Sequence, residues 1–278
     1  MRVALFATCV NDALYPSTAI ATVKLLERLG VRVDFPAAQT CCGQPQYNTG
    51  YRRQTEPLVR RMGRAFEGYD HVVTPSGSCA AMVRDNYPRI ARRGSDPRLT
   101  AVSESLVPRM YELTEFLVDV LGVTDVGAYF PHKVTYHPSC HGLRMLGLGD
   151  RPTRLLGAVK GLELIELPGA DECCGFGGTF AVKNPDVSVA MGEDKVRNAA
   201  STGAGVLCGA DNSCLMHIGG ILHRQDSPQR ALHLAEILAC TEEETDVVPQ
   251  TSEVVPQTPE VAPRMTEEAP STEDRPST

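Results

Sequence analysis

The chain of 278 residues predicts an α/β fold: two tandem duplicated units, each a small parallel sheet flanked by helices, followed by a disordered acidic tail. Three observations predict it. The stretch PAAQTCCGQP, Pro36 to Pro45, is answered by PGADECCGFG, Pro168 to Gly177, each with a proline five positions before the cysteine pair. The cysteines around the pairs keep one order. Cys9, Cys41–Cys42 and Cys79 are followed by Cys140, Cys173–Cys174 and Cys214, with gaps of 32 and 33 residues before the pairs and 37 and 40 after them. In both halves, short apolar runs alternate with helically periodic segments, as crossover-connected parallel strands require. Chance can double one pair, but agreement at four ordered positions, each behind an apolar run, marks a duplication.

The elements follow in order. VALFA, Val3–Ala7, is a first short strand, and Thr18–Gly30 has helical spacing that stops at glycine. VRVDFP is a second strand ended by its proline, residues 51–66 form a polar-faced helix, and HVVTP is a third strand. Glu104–Gly122 reads as one closing helix with Pro108 in its first turn or interrupting it. In the second copy KVTYH, LELIELP and GAGVLCG supply strands, and Asn184–Ala200 and Gln229–Leu238 supply helices. The expected units are residues 1–125 and 126–240. Residues 241–278 hold ten acidic residues, two arginines, six prolines and seven threonines. Such a segment buries too little apolar surface to offset its ordering entropy, so disorder is expected there.

Charge and length exclude several classes. The tail carries −8 of the net −7, which leaves +1 for residues 1–240 and no electrostatic footprint for nucleic acid. No apolar run is long enough for a transmembrane segment. Met1-Arg2 leads into VALFAT without a cleavage pattern, so a cytoplasmic location is expected. In that reducing compartment ten cysteines point to metal ligation or redox chemistry rather than structural disulfides. CCGFGG does not match a G-x-G-x-x-G loop, and no nicotinamide or flavin fingerprint is present.

Each cysteine group falls after a strand and before a helix. Ligands gather at the carboxyl ends of strands in open parallel sheets, so residues distant in sequence converge there. The glycine after each pair gives the backbone room beside a ligand, and helix N-termini favour thiolates. Four thiolates per half match the demand of one [4Fe–4S] cluster. Zinc also accepts four thiolates, although its usual close cysteine pairs are absent. Vicinal cysteines make strained disulfides and so suit a redox switch. Ordinary buried cysteines are the fourth reading, and spacing alone leaves all four open.

The two halves resemble the cysteine-rich CCG domain, named for Cys41-Cys42-Gly43 and Cys173-Cys174-Gly175, over about residues 2 to 240. That domain occurs in duplicate in the heterodisulfide reductase B subunit and the glycolate oxidase iron–sulfur subunit. The resemblance implies a cofactor- and metal-binding set of Cys9, Cys41, Cys42 and Cys79 and a second of Cys140, Cys173, Cys174 and Cys214. It implies an iron–sulfur electron-transfer subunit of an L-lactate (2-hydroxyacid) oxidising system that produces pyruvate. Other iron–sulfur or lactate-utilization subunits would be its partners, and the small 2-hydroxyacid substrate would be met at the level of the complex. The rival readings are a thiol/disulfide oxidoreductase related to heterodisulfide reductase and a zinc-stabilised structural or interaction protein. The family pattern ends in C-x-x-C, but Ser76 and Asp211 stand at the first of these positions. That departure argues against a five-cysteine, non-cubane cluster and leaves a four-cysteine site.

Several neighbours are weighed beside the sites. Cys208 reads as a small core residue and Cys240 as incidental. His137 and His141 flank Cys140 in HPSCHG, and His217 follows Cys214 by three residues. These read first as loop hydrogen-bonding groups and second as proton carriers, because imidazole titrates near neutrality. No other catalytic candidate stands out. Arg144 reads as a surface residue ahead of a clamp for a substrate carboxylate.

Overall fold

The computed structural model describes residues 1–244, so the expected acidic tail lies, beyond Glu244, outside the described residues. Strands of a parallel sheet are covered on both faces and read as nearly continuous apolar runs. Val3, Ala4 and Leu5 are such a run, and they form β1 (Arg2–Leu5). With β2 (Arg32–Asp34), β3 (His71–Thr74) and β4 (Met110–Glu112) it makes an all-parallel sheet in the order β2-β1-β3-β4. β5 (Lys133–His137), β6 (Glu163–Ile165), β7 (Val206–Gly209) and β8 (Arg230–His233) repeat it as β6-β5-β7-β8. The duplication read from the cysteines is therefore also a duplication of topology. In each sheet the chain starts on an inner strand, steps outward, then returns to the other side. The reversal leaves a crevice at the carboxyl ends of β1 and β3, and another at those of β5 and β7.

Helices cover the sheets through apolar stripes. Val59 and Met62 from helix Arg52–Ala65 pack with Phe66, Val72, Met82 and Leu99, all fully buried. Each large side chain buried in this way contributes about 1.5–3 kcal/mol. In the second half Val196 and Ala199 pack with Leu207, Leu215, Ile218 and Ile221. Helix Pro16–Arg28 ends as its sequence announces: Gly30 takes φ 77°, its N–H reaches the Glu27 carbonyl at 2.9 Å, and the Val31 N–H reaches that of Leu26 at 3.0 Å. This is a Schellman stop, which a residue with a Cβ would strain. Among the described residues no helix is long and apolar enough to cross a membrane.

Two expected helices contain a strand instead. Glu104–Gly122 divides into the end of helix Pro97–Leu106, a tight turn at Val107–Arg109 that accommodates Pro108, β4, helix Leu113–Glu115 and a π-helical turn at Phe116–Val120. Gln229–Leu238 divides into β8 and helix Leu234–Ala239. Helical periodicity loses here to long-range pairing, because Met110, Tyr111 and Glu112 lie against Val72, Val73 and Thr74 and complete the sheet edge. Reciprocal caps mark the true helix starts. Glu112 accepts from the N–H groups of Thr114 and Glu115 while its own N–H donates to Glu115, and His233 and Glu236 form the matching pair.

The halves pack through corresponding elements. Arg28 donates to the carbonyls of Leu238 and Ala239 at the C-terminus of the second half's last helix, where a cation is favoured. Arg151 grips Asp119 through both carboxylate oxygens at 2.9 and 2.8 Å. A buried polar seam runs between them. Asp211 accepts from the Ser78 N–H at 2.7 Å and the Ser76 hydroxyl at 3.3 Å, and Asn212 donates to Asn11 and Thr18, both at 2.9 Å.

Glu112 makes stability depend on pH. Burial pushes its carboxyl up to about 7, against hydrogen bonds from Thr114, and the charge of Glu115 adds to the rise. Between the ordinary value of 4.5 and about 7 the folded chain holds a proton that the unfolded chain has lost. Stability therefore falls as pH rises through that window, by on the order of 3 kcal/mol. Glu112→Gln keeps an accepting oxygen and removes the slope. In urea titrations the variant is expected to exceed the parent at pH 8 and to match it at pH 5. The same difference at both pH values would refute the assignment.

Candidate metal centres

Three loops feed each crevice. In the first half Cys9 follows β1 at the start of helix Cys9–Leu14, Cys41 and Cys42 follow β2, and Cys79 lies in helix Gly77–Ala81 after β3. In the second half Cys140 follows β5, Cys173 and Cys174 follow β6, and Cys214 lies in helix Asn212–Arg224 after β7. All ten cysteines are free. The structure brings the eight expected residues together as two quartets, one in each half.

The local backbone is shaped for this. Gly43 has φ 89°, and a Cβ there would stand 2.7 Å from the Thr55 methyl. Gly175 has φ 91°, and its Cβ would lie 2.3 Å from the Ser188 carbonyl oxygen. Their N–H groups point back at Cys41 and Cys173, each at 3.4 Å from the sulfur. Thr8 holds φ 77° immediately before Cys9, a costly conformation for a β-branched residue and one that concentrates at functional sites. Ser76 accepts from the Cys79 N–H at 3.3 Å and caps the helix that carries that cysteine, and Asp211 caps the Cys214 helix through the Ser213 N–H at 3.0 Å. The two positions that depart from C-x-x-C thus hold helix starts and tie the halves together.

The sulfurs form a connected chain in each half. Cys42 and Cys79 lie 3.5 Å apart. Cys41 accepts from the thiols of Cys42 and Cys9 and from the Gly43 N–H, which pulls it down to about 3 despite burial. Cys9 and Cys42 are pushed up, each first by its hydrogen bond to Cys41. Cys173 is held at about 2 by Cys140, then Cys174, with the Gly175 N–H helping against burial. Cys140 and Cys174 rise as its donors. In each half the first cysteine of the pair is the thiolate, and its neighbours share their protons with it. Soft thiolates in this number suit iron–sulfur groups or zinc, so the donor set fits the group expected from sequence. Cys9 is exposed while Cys42 and Cys79 are buried, so the first quartet opens to solvent on one side.

The remaining candidates separate. His137, at the end of β5, is fully buried, and one of its ring nitrogens and the sulfurs of Cys174 and Cys214 all lie within 4.8 Å of one another. Burial lowers its imidazole to about 4, and the Lys195 charge acts in the same direction. His141 turns to the other half, where Gln44 donates to its Nε2 at 2.9 Å. His217 lies 3.1 Å from the Ser188 carbonyl and buttresses the helix behind Gly175. Arg144 donates to the Asp171 carbonyl at 3.0 Å and steadies the Cys173 loop. Cys208 is a core residue of β7, its thiol raised by burial, and Cys240 donates to the Glu236 carbonyl at 3.2 Å.

Sequence reasoning missed Lys195. Its side chain is fully buried, its ammonium donates to the Gly169 carbonyl in the loop leading to Cys173, and burial holds its pKa below the ordinary value. Its signal was legible: a lysine on the helix stripe of Gly192, Val196 and Ala199, all of them buried. In the metal-free, reduced chain, iodoacetamide should label Cys41 and Cys173 first. Their rates should change less than about threefold between pH 8 and pH 5, where an ordinary thiol loses about tenfold per unit. Peptide mapping reads this directly, and an ordinary pH dependence at both would refute it.

The cysteine-rich domain family CCG matches residues 3–84 and 134–219. The lactate utilization protein A of Exiguobacterium sp. is 52% identical over 239 residues, covering 85% of this chain and 96% of that one. Its namesake in Geobacillus kaustophilus is 52% identical, covering 86% and 98%, and that in Bacillus subtilis is 49% identical, covering 86% and 99%. Among solved structures an aspartate racemase homologue from Pyrococcus horikoshii aligns with a TM-score of 0.32 at 11% identity, covering 86% of this chain and 95% of that chain, too distant to bear on activity. Two family matches placed on two topologically equivalent halves, each around its own cysteine quartet, assign the chain to the cysteine-rich CCG domain family.

Proposed function

We propose that the chain is an iron–sulfur electron-transfer subunit of a lactate-utilization system that oxidises L-lactate, a 2-hydroxyacid, to pyruvate. The reading rests on one observation above others: eight cysteines distributed over the sequence are delivered as two quartets to the ligand-gathering ends of two sheets. The names of the relatives supply the metabolic setting. In this reading residues 1–125 hold one group through Cys9, Cys41, Cys42 and Cys79, and residues 126–240 hold the other through Cys140, Cys173, Cys174 and Cys214. Such a group, a [4Fe–4S] cluster in each half, takes up and releases one electron at a time. The chain's own residues hold the sulfurs, exclude water behind Cys42 and Cys174, and direct the Gly43 and Gly175 N–H groups at sulfur. Lys195 sets a positive charge behind the second quartet. Lactate gives up two electrons and two protons in becoming pyruvate, and partner subunits, themselves iron–sulfur or lactate-utilization proteins, would contribute the substrate site. Free thiols throughout suit a reducing, cytoplasmic setting.

A second reading, thiol–disulfide exchange, draws on the low-pKa sulfurs of Cys41 and Cys173 beside Cys9 and Cys140. It requires activity from the metal-free chain with a dithiol donor. Anaerobic purification separates the two. The cluster reading expects a brown protein with about four irons and four acid-labile sulfides per filled half. Cys42→Ser and Cys174→Ser should each remove about half of both. A colourless protein with stoichiometric zinc, or iron near zero, would overturn it.

A further inference from the structure

The halves share a topology but differ in the wall behind their cysteines. Phe6 lies three residues before Cys9 and His137 three before Cys140, and both are fully buried. Where the first half sets a phenyl ring, the second sets an imidazole. Among the described residues neither ring nitrogen of His137 has a hydrogen-bond partner. Buried polar groups are almost always satisfied, so an imidazole with two orphaned nitrogens in a core asks for a ligand. Nearby groups that might have served are engaged elsewhere. The Lys195 ammonium is on the Gly169 carbonyl, His217 faces the Ser188 carbonyl, and the Asp211 carboxylate is taken by Ser76, Ser78 and Ser213. What His137 does face is sulfur, since its donor atom and those of Cys174 and Cys214 fall within 4.8 Å of each other.

We propose that His137 is a metal ligand, so that the chain carries two unlike centres: an all-thiolate one in the first half and a mixed imidazole–thiolate one, including His137, Cys174 and Cys214, in the second. The proposal rests on the reading that each half holds a metal group. Neutral imidazole in place of a thiolate removes one negative charge from the ligand set and leaves one cysteine of the second quartet free beside the centre. Histidine ligation raises the potential of iron–sulfur centres. Where both halves hold iron–sulfur centres, the second is then the better electron acceptor, and electrons pass from the first half to the second.

The test uses the full chain, purified anaerobically from cells fed nitrogen-15 histidine, reduced, and read by pulsed electron paramagnetic resonance. The expected spectrum shows a strongly coupled nitrogen of a directly bound imidazole. The coupling persists in Cys42→Ser and disappears in His137→Phe, which copies the residue at the first half's equivalent position. Should the second half hold zinc, X-ray absorption at the zinc edge answers the same question through a nitrogen at about 2.0–2.1 Å beside sulfur at about 2.3 Å. Metal in both halves without a bound nitrogen, or coupling that survives in His137→Phe, overturns the proposal and leaves the cluster reading standing. Metal in neither half overturns the cluster reading and this proposal together. If His137→Phe fails to accumulate, the spectrum of the unmodified chain still decides.

Discussion

Sulfur atoms that would repel one another as thiolates are held within a few ångströms at the carboxyl end of each sheet, and most of the local structure follows from that constraint. Full ionisation of four clustered thiols in a partly buried site is prohibitive without compensating positive charge. Each quartet meets the constraint with one low-pKa sulfur, Cys41 or Cys173, that accepts from neighbouring thiols and from a glycine N–H. The positive φ of Gly43 and Gly175 brings that N–H to bear, and strain at Thr8 fixes where Cys9 begins its helix. A bound metal group would supply the missing positive charge, and for that reason the arrangement suits a ligand set better than a cluster of core cysteines.

Duplication created two such sites and divergence then separated them. In the first half the wall behind the cysteines is Phe6, Val59, Met62 and Met82, all fully buried and apolar. At corresponding places the second half has His137, Gly192, Lys195 and His217. Gly192 belongs to the same change, because a Cβ there would stand 2.3 Å from Ile221 and 2.9 Å from His217. An apolar wall fixes the potential of a charged group by low dielectric alone. A wall bearing imidazoles and an ammonium adds fixed dipoles and charge, so one fold provides two electrostatic environments.

The seam between the halves uses the residues that might have been further sulfur ligands. Ser76 and Asp211 cap the helices of Cys79 and Cys214 and meet each other across the seam. His141, from the loop of one quartet, meets Gln44, from the loop of the other. Each cysteine site is therefore tied by hydrogen bonds to a residue of the opposite half.

The repeated order of cysteines, prolines and glycines was enough to read the duplication, the parallel α/β class and the eight converging residues. Those features are local or periodic: apolar runs, the glycine stop at Gly30, and the glycines that follow Cys42 and Cys174. β4 and β8 lie within helically periodic stretches, since three or four residues at a sheet edge are too few to impose a period of their own, and their strand state comes from pairing with β3 and β7. The helix stripe of Gly192, Val196 and Ala199 points Lys195 inward even in the sequence, but which carbonyl its ammonium meets is decided by the packed loop of Gly169. The difference in role among His137, His141 and His217 was also invisible in HPSCHG and its surroundings. Which histidine faces sulfur, which faces a carbonyl and which crosses to the other half depends on contacts between residues far apart in the chain. Only the folded sheet brings those residues together.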